Sequence, residues 1–250
     1  MYDDLARPPL QARALQRALA PDGWRVEVLG QVDSTNAVVA ARARAGEAHG
    51  LVVVAEEQTA GRGRLERTWS SPPRAGLTFS VLLRPQFPPA EFGWLSLLTA
   101  LAVARAVREH GGVPAVLKWP NDVLVEGRKL CGILAEVAAP GAVVVGVGLN
   151  VSTRPDEFPA PCTSLLQEGA DTTDRAVVLR AVLRELTAVL ADPDARSGYR
   201  ALCSSIGSLV RLELPDGSVT GRGDDVDAAG RIVVDGTPYS AGDVVHLRPV

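Results

Sequence analysis

The order of apolar and polar positions divides the chain into a long segment of mixed periodicity and a short, turn-rich tail. LQARALQRALA, at 10–20, has apolar residues at helical spacing, and Pro21, Asp22 and Gly23 close it. WRVEVLG, at 24–30, alternates as a strand does. Asp33, Ser34 or Thr35 stands where a helix from Asn36 to Ala45 needs a cap, and Gly46 ends that helix. LVVVAEE (51–57) and GLTFSVLLRP (76–85) are almost unbroken apolar runs, the mark of strands buried on both faces. Phe92 to His110 has the spacing of a long helix, stopped by Gly111 and Gly112.

A block of strands follows. VLKWP (116–120) turns at Asn121-Asp122 into VLVEG, and Glu126-Gly127-Arg128 turns into KLCGILAEVA (129–138). Ala139-Pro140-Gly141 then leads into AVVVGVGLNV (142–151). Connections this short predict antiparallel neighbours rather than crossovers. Thr173 to Leu190 is a strongly periodic helix, and Asp194 to Ser204 forms another. Beyond about residue 205 short alternating strands are split by Pro-Asp-Gly, Ala-Ala-Gly and Ser-Ala-Gly-Asp turns, which predicts a small all-β unit. The expected organisation is a main α+β domain over 1–204, built on a mixed, largely antiparallel sheet with helices packed on it, and a β domain over 205–250. Gly221-Arg222-Gly223, set among acids in that tail, is expected to be a turn.

Composition narrows the classes. A hydrophobic content of 46% supports a real core, and the net charge of −3 argues against a general DNA binder. Cys131, Cys162 and Cys203 are far apart, without CxxC or Cys/His clustering, so free thiols in a cytoplasmic setting are expected and a zinc site is not. The first ten residues carry acids and prolines where a signal peptide has a basic start and an apolar run. No window approaches about 18 uninterrupted apolar residues, so no membrane span is expected.

The candidate chemistry gathers on QTAGRGRLERTWSS, at 58–71. Its glycines, Gly61 and Gly63, let backbone approach a ligand, and Arg62 and Arg64 offer planar charged forks that fit phosphate or carboxylate. By composition alone this is either a solvated basic turn or a lid over an anion. Four further segments bear on the choice. Asp33-Ser34-Thr35-Asn36 precedes a helix, where hydroxyls and amides suit either a cap or a polar ligand. Lys118 ends a buried run and calls for an anionic partner, Asp122 or a ligand phosphate. Lys129 opens a strand in which Gly132 marks a close approach or a bulge. Gly146-Val147-Gly148-Leu149-Asn150 closes an apolar strand, and no Lys-Ser/Thr follows it, which excludes a Walker-type loop.

The sequential order of DSTN, GRGR with Trp69, KWPND, RKLCGIL and GVGLN resembles the biotin–protein ligase (biotin–acetyl-CoA-carboxylase ligase) family. The resemblance runs from about residue 31 to 151, and the tail resembles the family's C-terminal SH3-like domain. It implies a class II synthetase-like core, and a monofunctional member without an N-terminal DNA-binding domain. The implied reaction joins biotin and MgATP into biotinyl-5′-adenylate, then passes biotin to a lysine of the biotin carboxyl carrier domain of acetyl-CoA carboxylase. By motif position, Ser34, Thr35 and Gln58 would bind the biotin head, and Gly61 and Arg62 would approach its carboxylate and the adenylate phosphate. Gly132 and Leu134 would line the tail, with Lys129 at the carboxylate or phosphate and Lys118 polarising the same junction. Arg64 would add charge at the phosphate, and Trp69 would pack beside adenine or serve the core. Asn121 and Asn150 would bind adenylate or order the site, and Asp122 would orient Lys118 or help to hold Mg²⁺. Arg62, Lys118 and Lys129 are thus the candidate catalytic groups, acting by positioning and charge, because no Ser/His/Asp or Cys/His arrangement is present. The implied partners are biotin, ATP and the carrier domain, with neither DNA nor membrane, and a homodimer is compatible with the family. A lipoate–protein ligase or octanoyl transferase is the related alternative, and a non-catalytic biotin sensor the unrelated one. Glu66 departs from the family loop, which commonly has glycine there, and Cys131 replaces a small apolar residue.

Overall fold

The structure is a computed structural model that describes residues 7–64, 67–158 and 161–247; Glu66 lies outside the described residues. Its frame is a seven-stranded sheet in the order β1-β2-β3-β7-β6-β5-β4. The strands are β1 (Arg25–Val32), β2 (Leu51–Gln58), β3 (Gly76–Leu83), β4 (Val116–Lys118), β5 (Asp122–Val125), β6 (Arg128–Ala139) and β7 (Ala142–Asn150). Only β1 and β2 pair in parallel; every other neighbouring pair is antiparallel. The mixed, largely antiparallel sheet that short connections imply is therefore present. Between β5 and β6 the turn is Glu126-Gly127, both residues at positive φ (48° and 78°), the conformation that joins two strands with matching twist.

The two-sided burial of the central strands explains their unbroken apolar sequence. On β2, Val52 and Val54 belong to one core and Leu51 and Val53 to the other. The larger core holds Leu77, Phe79 and Val81 of β3 against helices α1 (Ala12–Leu19), α3 (Gly93–Gly111), α4 (Arg175–Ala191) and α5 (Ala195–Leu202). The smaller core holds Val39 and Ala43 of α2 (Thr35–Arg44) against Leu82 and Val144. One helix thus covers one sheet face, and its N-terminus opens beside β2, β6 and β7. Gly112, at φ 64°, terminates α3 in the left-handed conformation that glycine adopts without penalty.

A second antiparallel sheet of five strands, in the order β11-β10-β9-β8-β12, follows α5. It comprises β8 (Leu209–Leu214), β9 (Gly217–Val226), β10 (Ile232–Val234), β11 (Thr237–Tyr239) and β12 (Asp243–His246). Gly221-Arg222-Gly223 corrects the sequence expectation, because it lies inside β9, paired with Val210 and Leu209, and is no turn. Its glycines answer to crowding: a Cβ on Gly223 would stand 2.1 Å from the Ser205 carbonyl, and one on Gly221 2.3 Å from Asp235 Oδ2.

The two sheets share apolar packing, since Val210, Leu212, Val226 and Ile232 join the larger core. They are also tied by indole donors. Trp94 Nε1 donates to the carbonyls of Asp227 and Ala228, each at 3.0 Å, and Trp119 Nε1 donates to Gly230 O at 3.0 Å. Trp94 is fully buried, with the Arg196 and Arg200 guanidinium groups 5.1 and 5.3 Å from its ring and Tyr199 edge-on at 5.7 Å. Trp94→Phe keeps a ring but leaves two carbonyls without this donor. Urea unfolding should then show a loss of about 1–3 kcal/mol with unchanged far-ultraviolet dichroism. A loss below about 0.5 kcal/mol would mean that the indole bonds do not tie the sheets.

Candidate active site

Strand register puts the candidate residues on one face of the large sheet. Residues directly opposite one another in neighbouring strands project to the same side. One row therefore runs Lys118–Asp122–Gly132–Gly148–Thr78–Ala55, from β4 across to β2. The next row runs Leu134–Gly146–Ser80–Val53. Three glycines thus cluster at the middle of the face, and at those three positions β6 and β7 carry no side chain. The result is a cleft floored by β6 and β7 and walled by the start of α2, Gln58 and residues 62–64 and 67–69.

Other elements press onto this bare floor. The Trp69 indole lies so close that a Cβ on Gly148 would be 2.3 Å from its Cε2, and one on Gly132 3.2 Å from its Cζ3. Asn36 does the same at Gly146, where a Cβ would meet its Oδ1 at 2.2 Å. Gly132 is therefore a close-approach glycine; the irregularity of pairing in β5–β6 falls one step away, between Val123 and Leu124. Gly61 is held equally tightly, since a Cβ there would stand 2.4 Å from Trp69 O and 2.6 Å from Gln58 Nε2. Trp69 N donates to Gly61 O at 2.9 Å, and Arg62 bridges Thr68, so the segment folds back on itself over the cleft.

One end of the cleft is polar and nearly uncharged. Ser34, Thr35 and Asn36 are buried at the start of α2. Neither Asp33 nor Ser34 caps this helix through its side chain: Ser34 makes no capping bond, and Asp33 accepts from Thr59 Oγ1 at 2.9 Å. The first helical N–H, that of Thr35, donates instead to Gln58 Oε1 at 2.8 Å, so β2 supplies the cap. Thr35 Oγ1 also reaches Gln58 Oε1 at 3.0 Å. Behind them, fully buried Ser80 Oγ lies 2.7 Å from Thr35 Oγ1 and 2.6 Å from Asn36 Oδ1. Asn36 Nδ2 donates to Glu136 Oε2 at 2.6 Å. These bonds hold each group in one orientation before any ligand arrives.

The other end is cationic. Arg62 Nη2 stands 3.4 Å from Glu136, and Lys129 Nζ stands 2.6 Å from Asp122 Oδ1. Asp122 therefore partners Lys129 rather than Lys118, correcting the expectation that it orients Lys118. Lys118 is at the far end of the row and does not line the cleft; burial first and the Lys118 charge second lower the pKa of His246. Arg64 and Arg67 complete the group, with Arg67 paired to Asp243. Burial lowers the pKa of Arg64 most, while Asp243 and Asp122 act to keep it charged. Arg64 Nε and Trp69 Nε1 are buried donors without an acceptor among the described residues. Such donors are costly unless something fills them, and an anionic ligand would.

Asn121 and Asn150 act on backbone. Asn121 Nδ2 donates to Ile133 O at 2.8 Å, and Asn150 Nδ2 donates to Thr163 O at 3.0 Å and Lys129 O at 3.4 Å. Asn150, 3% exposed, belongs to the ordering of β6 rather than to the cleft lining, whereas Asn121 and Leu134 border the cleft. Burial pushes the Cys131 thiol far above its ordinary range, so it is a packing residue. Among the described residues no group of three or more His, Cys, Asp or Glu could hold a metal, and no helix is long and apolar enough to cross a membrane. Asn36, Arg67, Gly146 and Gly148 stand in the candidate segments read from sequence but without roles of their own, and Ser80, Glu136 and Asp243 stand outside them. A lone serine inside the apolar run of β3 was a readable signal; the acid from β12, distant in sequence, was not.

Gly148→Ala places a methyl inside the Trp69 ring, so Trp69 must leave the floor. Ligand affinity should fall about tenfold or more, with an intrinsic-fluorescence shift. Gly30→Ala, which meets nothing within 4 Å, serves as the control. Equal affinities in the two variants would show that the bare floor is not needed.

Residues 28–152 match the model of the biotin/lipoate A/B protein ligase family. The biotin–[acetyl-CoA-carboxylase] ligase of Mycobacterium tuberculosis is 47% identical, over 98% of each chain. The biotin–[acetyl-CoA-carboxylase] ligase of Paracoccus denitrificans is 40% identical over 52% of this chain and 55% of its own length. Among solved structures, the biotin protein ligase of Aquifex aeolicus in complex with biotin and ATP superposes with a TM-score of 0.76 at 30% identity, over 90% of this chain and 99% of that one. On the family match and the near-complete span of the M. tuberculosis relative, this chain belongs to the biotin/lipoate A/B protein ligase family.

Proposed function

We propose that the cleft binds biotin and ATP, joins them as biotinyl-5′-adenylate, and presents that adenylate to a lysine amine on the biotin carboxyl carrier domain of acetyl-CoA carboxylase. The observation that carries this reading is the cleft's polarity: a fixed, nearly neutral polar end, a glycine floor on which the Trp69 indole rests, and a cationic end. A ureido head, with N–H donors and a carbonyl acceptor, uses Ser34, Thr35 and Gln58. An aliphatic tail runs along Leu134 and the Trp69 indole, which Gly132 and Gly148 admit onto the sheet. A carboxylate then reaches Arg62 and Lys129, with Gly61 letting the backbone of the segment approach.

In the first step a carboxylate oxygen attacks the α-phosphorus of ATP, the bond to the bridging oxygen breaks, and pyrophosphate leaves. Charge builds on the phosphoryl oxygens, where Arg62, Arg64 and Lys129 stand. In the second step an amine attacks the acyl carbon, AMP leaves with the bonding pair, and the nitrogen loses a proton. No enzyme nucleophile takes part. Asn121 is offered for the adenylate, Asn150 for the ordering of β6, and Trp69 for the wall between tail and adenine. Mg²⁺ would enter with the triphosphate and neutralise its charge, with Asp122 paired to Lys129. Free Cys131, Cys162 and Cys203 support a reducing, cytoplasmic setting. The boundary at residues 204–205, an SH3-like assignment for the five-stranded sheet and a homodimer complete the proposal.

The polar end favours biotin over lipoate or octanoate. A site built to hydrogen-bond a head group leaves buried polar atoms unpaired with an aliphatic one, and such sites discriminate by factors of about 10⁴. Incubation with MgATP, a carrier domain and each acid in turn, read by the mass of the carrier, should show addition only with biotin. Addition with lipoate alone, or no addition, would overturn the reading. Arg62→Gly removes a fork from the phosphate and should release adenylate about tenfold faster, seen as labelling of unrelated lysines. Lys118 lies outside the cleft lining but shares a cross-strand row with Asp122 and Gly132, and is offered for the triphosphate side of the site. Lys118→Ala should then slow adenylate formation more than it weakens biotin binding, and equal losses would make Lys118 structural.

A further inference from the structure

The cleft has a lining residue from outside the large sheet. Asp243 opens β12 of the C-terminal sheet, where it pairs with Glu213 of β8, yet it lines the cleft with Arg62, Arg64 and Lys129. Its carboxylate accepts a hydrogen bond from Arg67 Nη2. The Asp243 side chain is 19% exposed and that of Arg67 67%. An ion pair so exposed on one side adds little to folding stability, typically below about 1 kcal/mol. Its effect is geometric. Arg67 backbone is bonded in turn to the arginines before it: Gly63 N donates to Arg67 O at 2.6 Å, and Arg67 N donates to Arg64 O at 3.1 Å. Fixing Arg67 therefore fixes the residues that carry Arg64. Asp243 also acts on Arg64 directly, as the larger of the two charges that offset its burial.

We infer that Asp243 is a positioning residue for adenylate formation and retention, the point at which the C-terminal sheet completes the site. Through Arg67 it holds Arg64 over the cleft, with the unpartnered Nε of Arg64 available to a phosphoryl oxygen. Placing a carboxylate there has a second consequence. Asp243 engages Arg67, while Arg62 and Lys129 pair with Glu136 and Asp122, so it orients Arg67 without occupying the anion's place at Arg62 and Lys129. The inference rests on the ligase reading, and it assigns to the C-terminal sheet a part in holding the adenylate and none in recognising the head group of biotin.

The test uses the full chain. Wild-type enzyme is first shown to form biotinyl-adenylate from biotin and MgATP; if it forms none, the ligase reading itself fails. Adenylate residence time and the Kd for biotin alone are then measured for Asp243→Asn, Arg67→Ala and the double variant, with Tm as a check on folding. Asp243→Asn should shorten residence about three- to fivefold, the range an exposed ion pair can control, and leave the biotin Kd within about twofold. Arg67→Ala should shorten it by no more than Asp243→Asn does, and the double variant should be no worse than Asp243→Asn alone, because the Arg67 link runs through Asp243. The difference from wild type should vanish near 1 M salt, where charges are screened within about 3 Å. Unchanged residence in Asp243→Asn, multiplicative losses in the double variant, or equal losses in biotin affinity would each overturn the inference. Should Asp243→Asn fail to fold, Arg67→Ala against Arg67→Lys decides the matter, with residence restored by lysine expected and equal loss overturning.

Discussion

The site depends on three missing side chains. Gly132 and Gly148 face each other across β6 and β7, and Gly146 lies opposite Leu134 in the next row. Their absence lets an indole and an amide lie on the sheet itself, at distances that any Cβ would forbid. A sheet buried on both faces ordinarily fills such positions with branched side chains, as β2 and β3 do a few ångströms away. Here apolar burial has been given up locally to create a place for a ligand. The surrounding strands hold that place open because β3, β7 and β6 are paired along most of their lengths.

Charge follows the same geometry. Four cations meet three carboxylates around the cleft, and each carboxylate has a resting partner: Glu136 with Arg62, Asp122 with Lys129, Asp243 with Arg67. Among these four cations only Arg64 is described with a buried donor unfilled, and the Trp69 indole beside it has another. A positively charged pocket without counter-ions would repel itself and destabilise the fold. Pairing at 2.6–3.4 Å for the first two contacts keeps the groups in place, and a phosphate can then compete for them with a stronger, multivalent interaction. The polar end works differently, through hydrogen bonds among Thr35, Gln58, Ser80 and Asn36, with Asn36 also donating to the Glu136 carboxylate.

Much of this was legible in the sequence, because it depends on local periodicity and on residue types with few alternative uses. The unbroken run of β2 announced two-sided burial, and Glu126-Gly127 announced a tight hairpin. The glycine–arginine segment was ambiguous alone and became informative beside KWPND and GVGLN. Errors arose where a residue answers to something distant. Gly221-Arg222-Gly223 reads as a turn by composition, yet Ser205 and Asp235 are what exclude side chains there. Asp33 and Ser34 read as helix caps, yet Gln58 of β2 takes the first N–H.

The sequence by itself determined which segments are strands and helices, that the strands after residue 116 are antiparallel neighbours, and which residues could bind an anion. Hydrophobic period and turn chemistry act over a few residues, so they can be read in order along the chain. Only the tertiary structure decided who partners whom. Register brought Gly148 opposite Gly132, gave Asp122 to Lys129 instead of Lys118, and carried Asp243 from the far end of the chain to Arg67. Such pairings depend on distances across strands and between sheets, which residue order does not encode locally.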